Sequence, residues 1–470
     1  VRTIPNTVCK VLLVFSLIVV PALQAQPQST LDPQLRSAID DAAQQVLKAT
    51  GVPSASLAVV QDGKIAYLQT YGSAKLDPQT NATTAMRYSI GSISKQFTAA
   101  AILILAEQGK LSLDDPVSKY VPGLTDGNNV TIRELLSHTS GYQDFWPQDY
   151  APPLMLKPIT ADKIMDMWAR KPLDFPPGTK WQYSNTNYVI AGVIVEKVSG
   201  MPLLQFLSQR VFTPLQMKSV ADTDANKLPP TDPTGYFRYA LGPLRPSPKE
   251  GSGWMFAAGE LAMTAEDLAK WDISIIDQSV MKPASYREME TDVVLKNGLG
   301  SRYGLGVRVL DSNGHRVLEH GGEVMGFVAD NIVMPDDKIA VVVLTNQDAS
   351  QAASGIGRQV SALLLKAAAP QDPKQDELMR KVYDGLQQGK IDRSMFTDNA
   401  NAYFTDQALK DYASSLGPLG APEAFTASRT ALRGGMTARI YDVKYPKKDL
   451  TIIIYQMPDG KIEQYLIAEQ

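Results

Sequence analysis

Ser92 and Lys95 stand three residues apart at the head of an apolar run. In a helix that spacing puts a hydroxyl and an ammonium on one face, one turn above the other. From Thr98 to Ala106 the run is apolar on every side, so the stretch 86–109, MRYSIGSISKQFTAAAILILAEQG, reads as a buried helix. Lysine is rarely buried without a partner, and no acid lies in the same turn. Desolvation and the positive end of the helix dipole both disfavour its charged form, which moves Lys95 towards the range where an amine takes up a proton. Backbone N–H groups at the helix start suit an oxyanion, and the pair describes an activated serine nucleophile. Ser279 and Lys282 repeat the spacing but run into Pro283 and head no apolar helix.

Two other clusters have the right surroundings to complete such a site. Tyr183-Ser184-Asn185 follows the loop 175–178, FPPG, and immediately precedes a helix, where a second wall of a cleft belongs. His320-Gly321-Gly322 closes a strand, and its glycines let another backbone come close. Lys249-Glu250-Gly251 and Lys296-Asn297-Gly298 fit the same loose pattern without a convincing strand.

The elements that must position these residues are legible from pattern. Asp32-Pro33 starts an amphipathic helix with Leu35, Ile39, Ala42, Ala43, Val46 and Leu47 on one stripe. Strands are expected over 55–60 and 64–71, joined by Asp62-Gly63. Gly109 ends the buried helix, and short helices follow at 132–137, 161–169, 186–198, 203–211 and 265–276, among loops rich in proline and glycine. Strands return at 304–310, 316–319, 326–334 and 339–345, and a helix at 354–366. This predicts an α+β fold: an antiparallel sheet from the first and last strands, flanked by the terminal helices, with a helical domain inserted between them. A linker over 369–375 then leads to a small α+β domain, 376–470, with helices at 377–388 and 407–416 and strands at 437–444, 450–457 and 461–467.

The whole chain narrows the function further. Its 470 residues allow two or three domains, and a net charge of −3 with no basic run argues against nucleic acid as a partner. Arg2, Lys10, the apolar stretch 11–20 and a small-residue site ending at Ala25 read as an export signal over 1–25, with 26–368 as the main domain. The apolar stretch is too short for a comfortable span, so no stable membrane span is expected after signal removal, and the protein is expected to be periplasmic or secreted. Cys9 is the single cysteine and precedes the apolar stretch, so the mature chain is expected to carry no disulfide and no cysteine metal site.

Taken in order, Ser92-Ile93-Ser94-Lys95, Tyr183-Ser184-Asn185 and His320-Gly321-Gly322 resemble the three signatures of the penicillin-recognising serine hydrolases. Tyrosine in the second signature is similar to the branch holding class C β-lactamases, D-Ala-D-Ala carboxypeptidases, D-aminopeptidases and β-lactamase-like esterases. The stretches 135–141 and 257–271 resemble that branch too, and the likeness covers about 31–366. The resemblance implies a β-lactamase-like fold and an acyl-enzyme on Ser92, with Lys95 and Tyr183 sharing the proton work; sequence does not choose which is the base. It implies that Asn185 hydrogen-bonds the substrate amide. The oxyanion would sit between the Ser92 and Glu323 amides, the latter following Gly322, while His320 lines the substrate strand.

The implied substrate is a small molecule or peptide, from cell-wall material in one reading, with no metal and no cofactor. His320 stands where β-lactamases usually carry lysine, so a fixed positive charge is expected to become one that fades above about pH 6.5. That favours esterase or D-amino-acid peptidase variants over an efficient β-lactamase or D-Ala-D-Ala carboxypeptidase. A non-turnover penicillin-binding sensor is the remaining alternative, with the partner of the C-terminal domain left open. The helices-then-strands order of that domain is similar to NTF2-type cone domains.

Overall fold

The computed structural model describes residues 30–368 and 373–469, apart from 149 and 313. The expected export signal, 1–25, lies outside the described residues. Of the expected linker, 369–372 also lies outside them, and its remaining residues already belong to a helix that starts at Pro373.

Asp32 accepts hydrogen bonds from the backbone of Gln34 and Leu35, and Pro33 takes the first helical position of α1 (Pro33–Thr50). Strands β1 (Ser54–Gln61) and β2 (Lys64–Leu76) form a hairpin across Asp62-Gly63, whose φ values of 53° and 70° suit a tight type I′ turn. A short β3 (Gln79–Asn81) follows, then α2 (Ser94–Glu107), α3 (Asn185–Ser199) and α4 (Ala265–Asp277) within the helical insertion. The chain returns through β4 (Arg308–Ser312), β5 (His315–Val324), β6 (Phe327–Met334) and β7 (Ile339–Thr345) to α5 (Ala352–Ala368).

The resulting seven-stranded sheet is antiparallel, in the order β3-β2-β1-β7-β6-β5-β4. Its central strands are buried on both faces, which is why β1 and β7 read as near-continuous apolar runs. Alternate residues divide between two cores. Leu57, Val59, Val341 and Val343 meet Ile39 and Ala43 of α1 and Ile356 and Val360 of α5. Ala58, Val60, Val342 and Leu344 face the core that holds Phe97 of α2 and Trp271 of α4. Each fully buried large apolar side chain stabilises by about 1.5–3 kcal/mol, so α2 is held from all round, as its composition requires.

Several expectations need correction. The strand expected from Gly304 begins only at Arg308, because Gly304 and Gly306 form a loop pressed onto other backbone. A Cβ at Gly304 would lie 2.1 Å from the Met289 carbonyl, and one at Gly306 would lie 2.9 Å from that of Lys95. The helices expected at 161–169 and 203–211 each finish as a turn of π-helix, over Met165–Ala169 and Ser208–Phe212. A helix at Pro283–Glu290, with proline at its first position, falls where the sequence pattern suggests only a loop.

The C-terminal unit is built from α6 (Pro373–Gln387), α7 (Asp406–Leu416) and a four-stranded antiparallel sheet, β8 (Ala424–Arg433), β9 (Met436–Lys444), β10 (Asp449–Gln456) and β11 (Ile462–Glu469). It has its own core around Tyr383, Phe396, Tyr441, Ile452 and Tyr465. Strand β8 is not among those expected from the sequence, since its alternation is blurred by Ala427, Ser428 and Arg429 at a bulge. Among the described residues, no single helix is long and apolar enough to cross a membrane.

Candidate active site

Ser92 sits in a single 3₁₀ turn, Gly91–Ile93, that feeds directly into α2. Flanking pairings fix this turn. Tyr88–Ser89 pairs with Leu261–Met263, which also pairs with Ala221–Asp222, and the Ile90 amide donates to the Leu261 carbonyl at 3.0 Å. On the other side, β5 lies against the turn backbone to backbone. A Cβ at Gly91, φ 51°, would lie 2.7 Å from the Glu323 nitrogen; one at Gly322 would lie 1.8 Å from the Ile90 oxygen and 3.1 Å from the Ser92 nitrogen. Gly322 of the third cluster and Gly91 of the serine turn therefore bring the Ser92 and Glu323 amides to neighbouring positions, the arrangement an oxyanion site needs.

Lys95 is completely buried, and its Nζ donates to Ser92 Oγ at 3.0 Å, Asn185 Oδ1 at 2.8 Å and the Ala258 carbonyl at 2.8 Å. Burial lowers its pKa to about 7 from an ordinary 10.5, against the attraction of Asp144, which raises it. A lysine at this setting is substantially neutral near pH 7 and can accept the Ser92 proton.

Tyr183 presents its ring 5.0 Å from Lys95 Nζ and its hydroxyl to that of Ser92. Burial pushes the phenol well up despite the Ser92 contact, so at neutral pH it is a proton donor or relay. His138, at φ 61°, accepts a hydrogen bond from the Ser184 amide at 3.1 Å and packs its ring 4.3 Å from that of Tyr183. It fixes the loop that carries Tyr183.

Asn185 opens α3, and both ends of its amide are engaged. Oδ1 accepts from Lys95, while Nδ2 donates to Asp144 at 3.2 Å and the backbone N–H donates to the same carboxylate at 2.9 Å. The expected role of Asn185 is contact with the substrate; here it links Lys95 to an acid that no sequence signal marks. Asp144→Asn is expected to lower the Lys95 pKa further, because the attraction holding the ammonium charged is lost. The acid limb of kcat/KM, measured from pH 5 to 9, should then move to lower pH, and an unmoved limb would remove Asp144 from the network.

His320 departs from expectation most clearly. It is only 4% exposed, its Nδ1 contacts the Gly321 carbonyl at 2.6 Å and its Nε2 the Tyr303 hydroxyl at 2.8 Å. A carbonyl only accepts, so Nδ1 carries the proton and Nε2 accepts from tyrosine. Burial, with Lys95 nearby, drives its pKa down to about 3. It is neutral across the physiological range, and no charge fades near pH 6.5.

Ser92, Tyr183, Asn185, His320, Gly322 and Glu323 all line one cleft of about 1470 Å³, at whose floor Lys95 lies. Arg308 lines it as well, and its charge depresses His320 and Tyr183. Asp144, Tyr303 and Arg308 carry no local sequence signal, since Asp144 and Arg308 reach the cleft from a loop and a strand start, and Tyr303 stands buried behind it, against His320. The stretch around Leu135–Gly141 is the nearest available pointer to Asp144.

A family model described as Beta-lactamase matches residues 39–365, and the chain belongs to that family of penicillin-recognising serine hydrolases. Among curated proteins, it is 28% identical over 320 residues to Protein flp of Staphylococcus aureus, across 66% of this chain and 62% of that one. It is 26% identical over 326 residues to a D-aminopeptidase of Brucella canis, across 68% and 61%. The chain thus spans about six-tenths of the length of these relatives. Among solved structures, a D-stereospecific amidohydrolase from Streptomyces sp. is 28% identical with a TM-score of 0.59, covering 67% of this chain and 96% of that one. An octameric penicillin-binding protein homologue from Pyrococcus abyssi, 22% identical with a TM-score of 0.60, covers 92% and 99% and shares the fold.

Proposed function

We propose that this protein is an exported serine hydrolase that cleaves an amide or ester through an acyl-enzyme on Ser92, of the D-amino-acid peptidase or esterase type. The observation that carries this reading is the direct contact between Ser92 Oγ and a buried Lys95 whose pKa lies near 7. Ser92 Oγ attacks the carbonyl carbon while its proton passes to neutral Lys95, and the oxyanion is held by the Ser92 and Glu323 amides. Collapse expels the amine or alcohol, which takes the proton back from Lys95 directly or through Tyr183. Water then repeats the cycle on the ester of Ser92. The D-aminopeptidase and D-stereospecific amidohydrolase among the relatives support a D-amino-acid acyl group. Export is supported by the N-terminal charged-then-apolar stretch.

A neutral His320 offers no charge to a substrate carboxylate, which weakens the β-lactamase and D-Ala-D-Ala carboxypeptidase alternatives. Arg308, in the same cleft, is the feature that favours them. The deciding experiment combines labelling and turnover. A fluorophosphonate should modify the purified protein at Ser92, located by peptide mass. Steady-state rates on a short acyl ester, a D-amino-acid amide, a D-Ala-D-Ala peptide and a chromogenic cephalosporin should favour the first two. Labelling elsewhere sinks the reading, and acylation without release converts it to the penicillin-binding sensor.

A further inference from the structure

His320-Gly321-Gly322 contains two glycines that the structure treats differently. Gly322 is demanded by packing, since its Cβ would lie 1.8 Å from the Ile90 oxygen. Gly321 is not: its φ is not positive, it is exposed, and a Cβ there would meet only the Ala329 oxygen, at 3.7 Å. Its lack of a side chain therefore leaves something uncovered. In the β5–β6 register Gly321 stands opposite Asp330, and directly paired residues share a face. Alternation puts His320 and Gly322 towards the serine and puts Gly321 on the other face, above Asp330.

Asp330 is an anomaly on that face. Its neighbours along β6 are Val328 and Ile332, which join the core beneath α1 and α5. Asp330 is only 3% exposed, and its Oδ2 is enclosed without a hydrogen-bond partner among the described residues. α5 is shaped around it, for a Cβ at Gly357 would lie 2.5 Å from that oxygen. Burial, with Glu319 alongside, raises its pKa to about 7 against the opposing pull of Arg358 and Arg308. Gly321, Asp330, Glu319, Ser354 and Arg358 all line the cleft that holds Ser92. Pairing between β4 and β5 stops at Arg308–Glu319, so beyond that point the cleft passes along the margin of the sheet and continues onto its other face.

We propose that Gly321 is the opening, and Asp330 the floor, of a subsite that receives a protonated amino group of the substrate, on the far side of the strand from the scissile bond. The proposal rests on the reading of Ser92 as the acylated residue. Oδ2 is sealed beneath α5 without a donor, so the carboxyl meets a ligand only where Asp330 lines the cleft, and there an ammonium supplies both three donors and a compensating charge. Arg308 and Arg358 act on Asp330 through their charge, and among the described residues neither donates a hydrogen bond to its Oδ2.

The test compares p-nitrophenyl esters of glycine, 4-aminobutyric acid and 6-aminohexanoic acid with their N-acetyl counterparts. At one chain length the wild-type kcat/KM should favour the free amine by about tenfold or more, the worth of one charged contact. Asp330→Asn, and Gly321→Leu which fills the opening, should each bring that ratio to about one. A second readout needs no turnover: n-butylammonium chloride should raise Tm above an equal concentration of sodium chloride in the wild type, and in neither variant. Asp330→Asn should itself raise Tm at pH 8, since it removes a charge that burial opposes, where a purely structural carboxylate would lower it. A preference or a Tm increase that survives in Asp330→Asn, or one absent from the wild type at every length, overturns the subsite. Amine binding without ester turnover would instead sink the catalytic reading and leave the subsite standing.

Discussion

Ser92→Ala and Lys95→Met are each expected to lower kcat/KM on a small acyl ester by about 10³-fold or more, and the double variant should be no worse than the poorer single one. The reason is geometric. Lys95 Nζ donates to Ser92 Oγ at 3.0 Å, so its role is exerted through that oxygen, and once the hydroxyl is gone the amine has no proton to take. Additive losses would mean that the two act on separate steps. The wild-type profile should rise with pH through about 7, where Lys95 sheds its proton, and this limb should vanish from the residual activity of Lys95→Met. Tyr183→Phe decides the base. With burial holding the phenol protonated at neutral pH, its loss should be clearly smaller than that of Lys95→Met. An equal loss, together with disappearance of the limb near pH 7 from the residual activity of the tyrosine variant, would make the phenolate the base and lysine its electrostatic support.

Ser92 and Lys95 stand out in the sequence because a lysine within a run apolar on all sides is costly unless its amine has a chemical role, and that logic depends only on neighbours along the chain. The same holds for α1, where cap, proline and stripe are contiguous, and for β1 and β7, whose apolar runs announce burial on both faces. What the sequence hides is set by distant residues. The charge state of His320 is illegible there, because it is set by burial, and the Tyr303 hydroxyl that covers its Nε2 arrives from a loop seventeen residues earlier. Asn185 looks free for the substrate because Asp144, which holds its amide, lies 41 residues upstream. Gly304 and Gly306 look like part of a strand because alternation sees side chains, and these glycines serve close backbone approach to the Met289 and Lys95 carbonyls.

Gly322→Ala is expected to be the most damaging single-methyl change in the site, lowering stability by about 2–4 kcal/mol and activity by more than that loss of folded protein explains. The added Cβ would stand 1.8 Å from the Ile90 oxygen and 3.1 Å from the Ser92 nitrogen, both backbone atoms, so no side-chain rotation relieves the contact. Either β5 or the serine turn must withdraw. The turn is tied by the Ile90–Leu261 hydrogen bond and the start of α2, and β5 by its pairing with β6, so the strain is shared between them. Whichever moves, the Ser92 and Glu323 amides separate, and the two donors no longer converge on one oxygen. Urea unfolding and ester hydrolysis below the unfolding transition measure the two effects separately. Gly321→Ala, one residue away, should stay within about 0.5 kcal/mol of wild type, because its Cβ meets nothing closer than 3.7 Å. Equal effects at both positions would show that the strand tolerates displacement from the serine turn, and the oxyanion site would then have to be built from other donors.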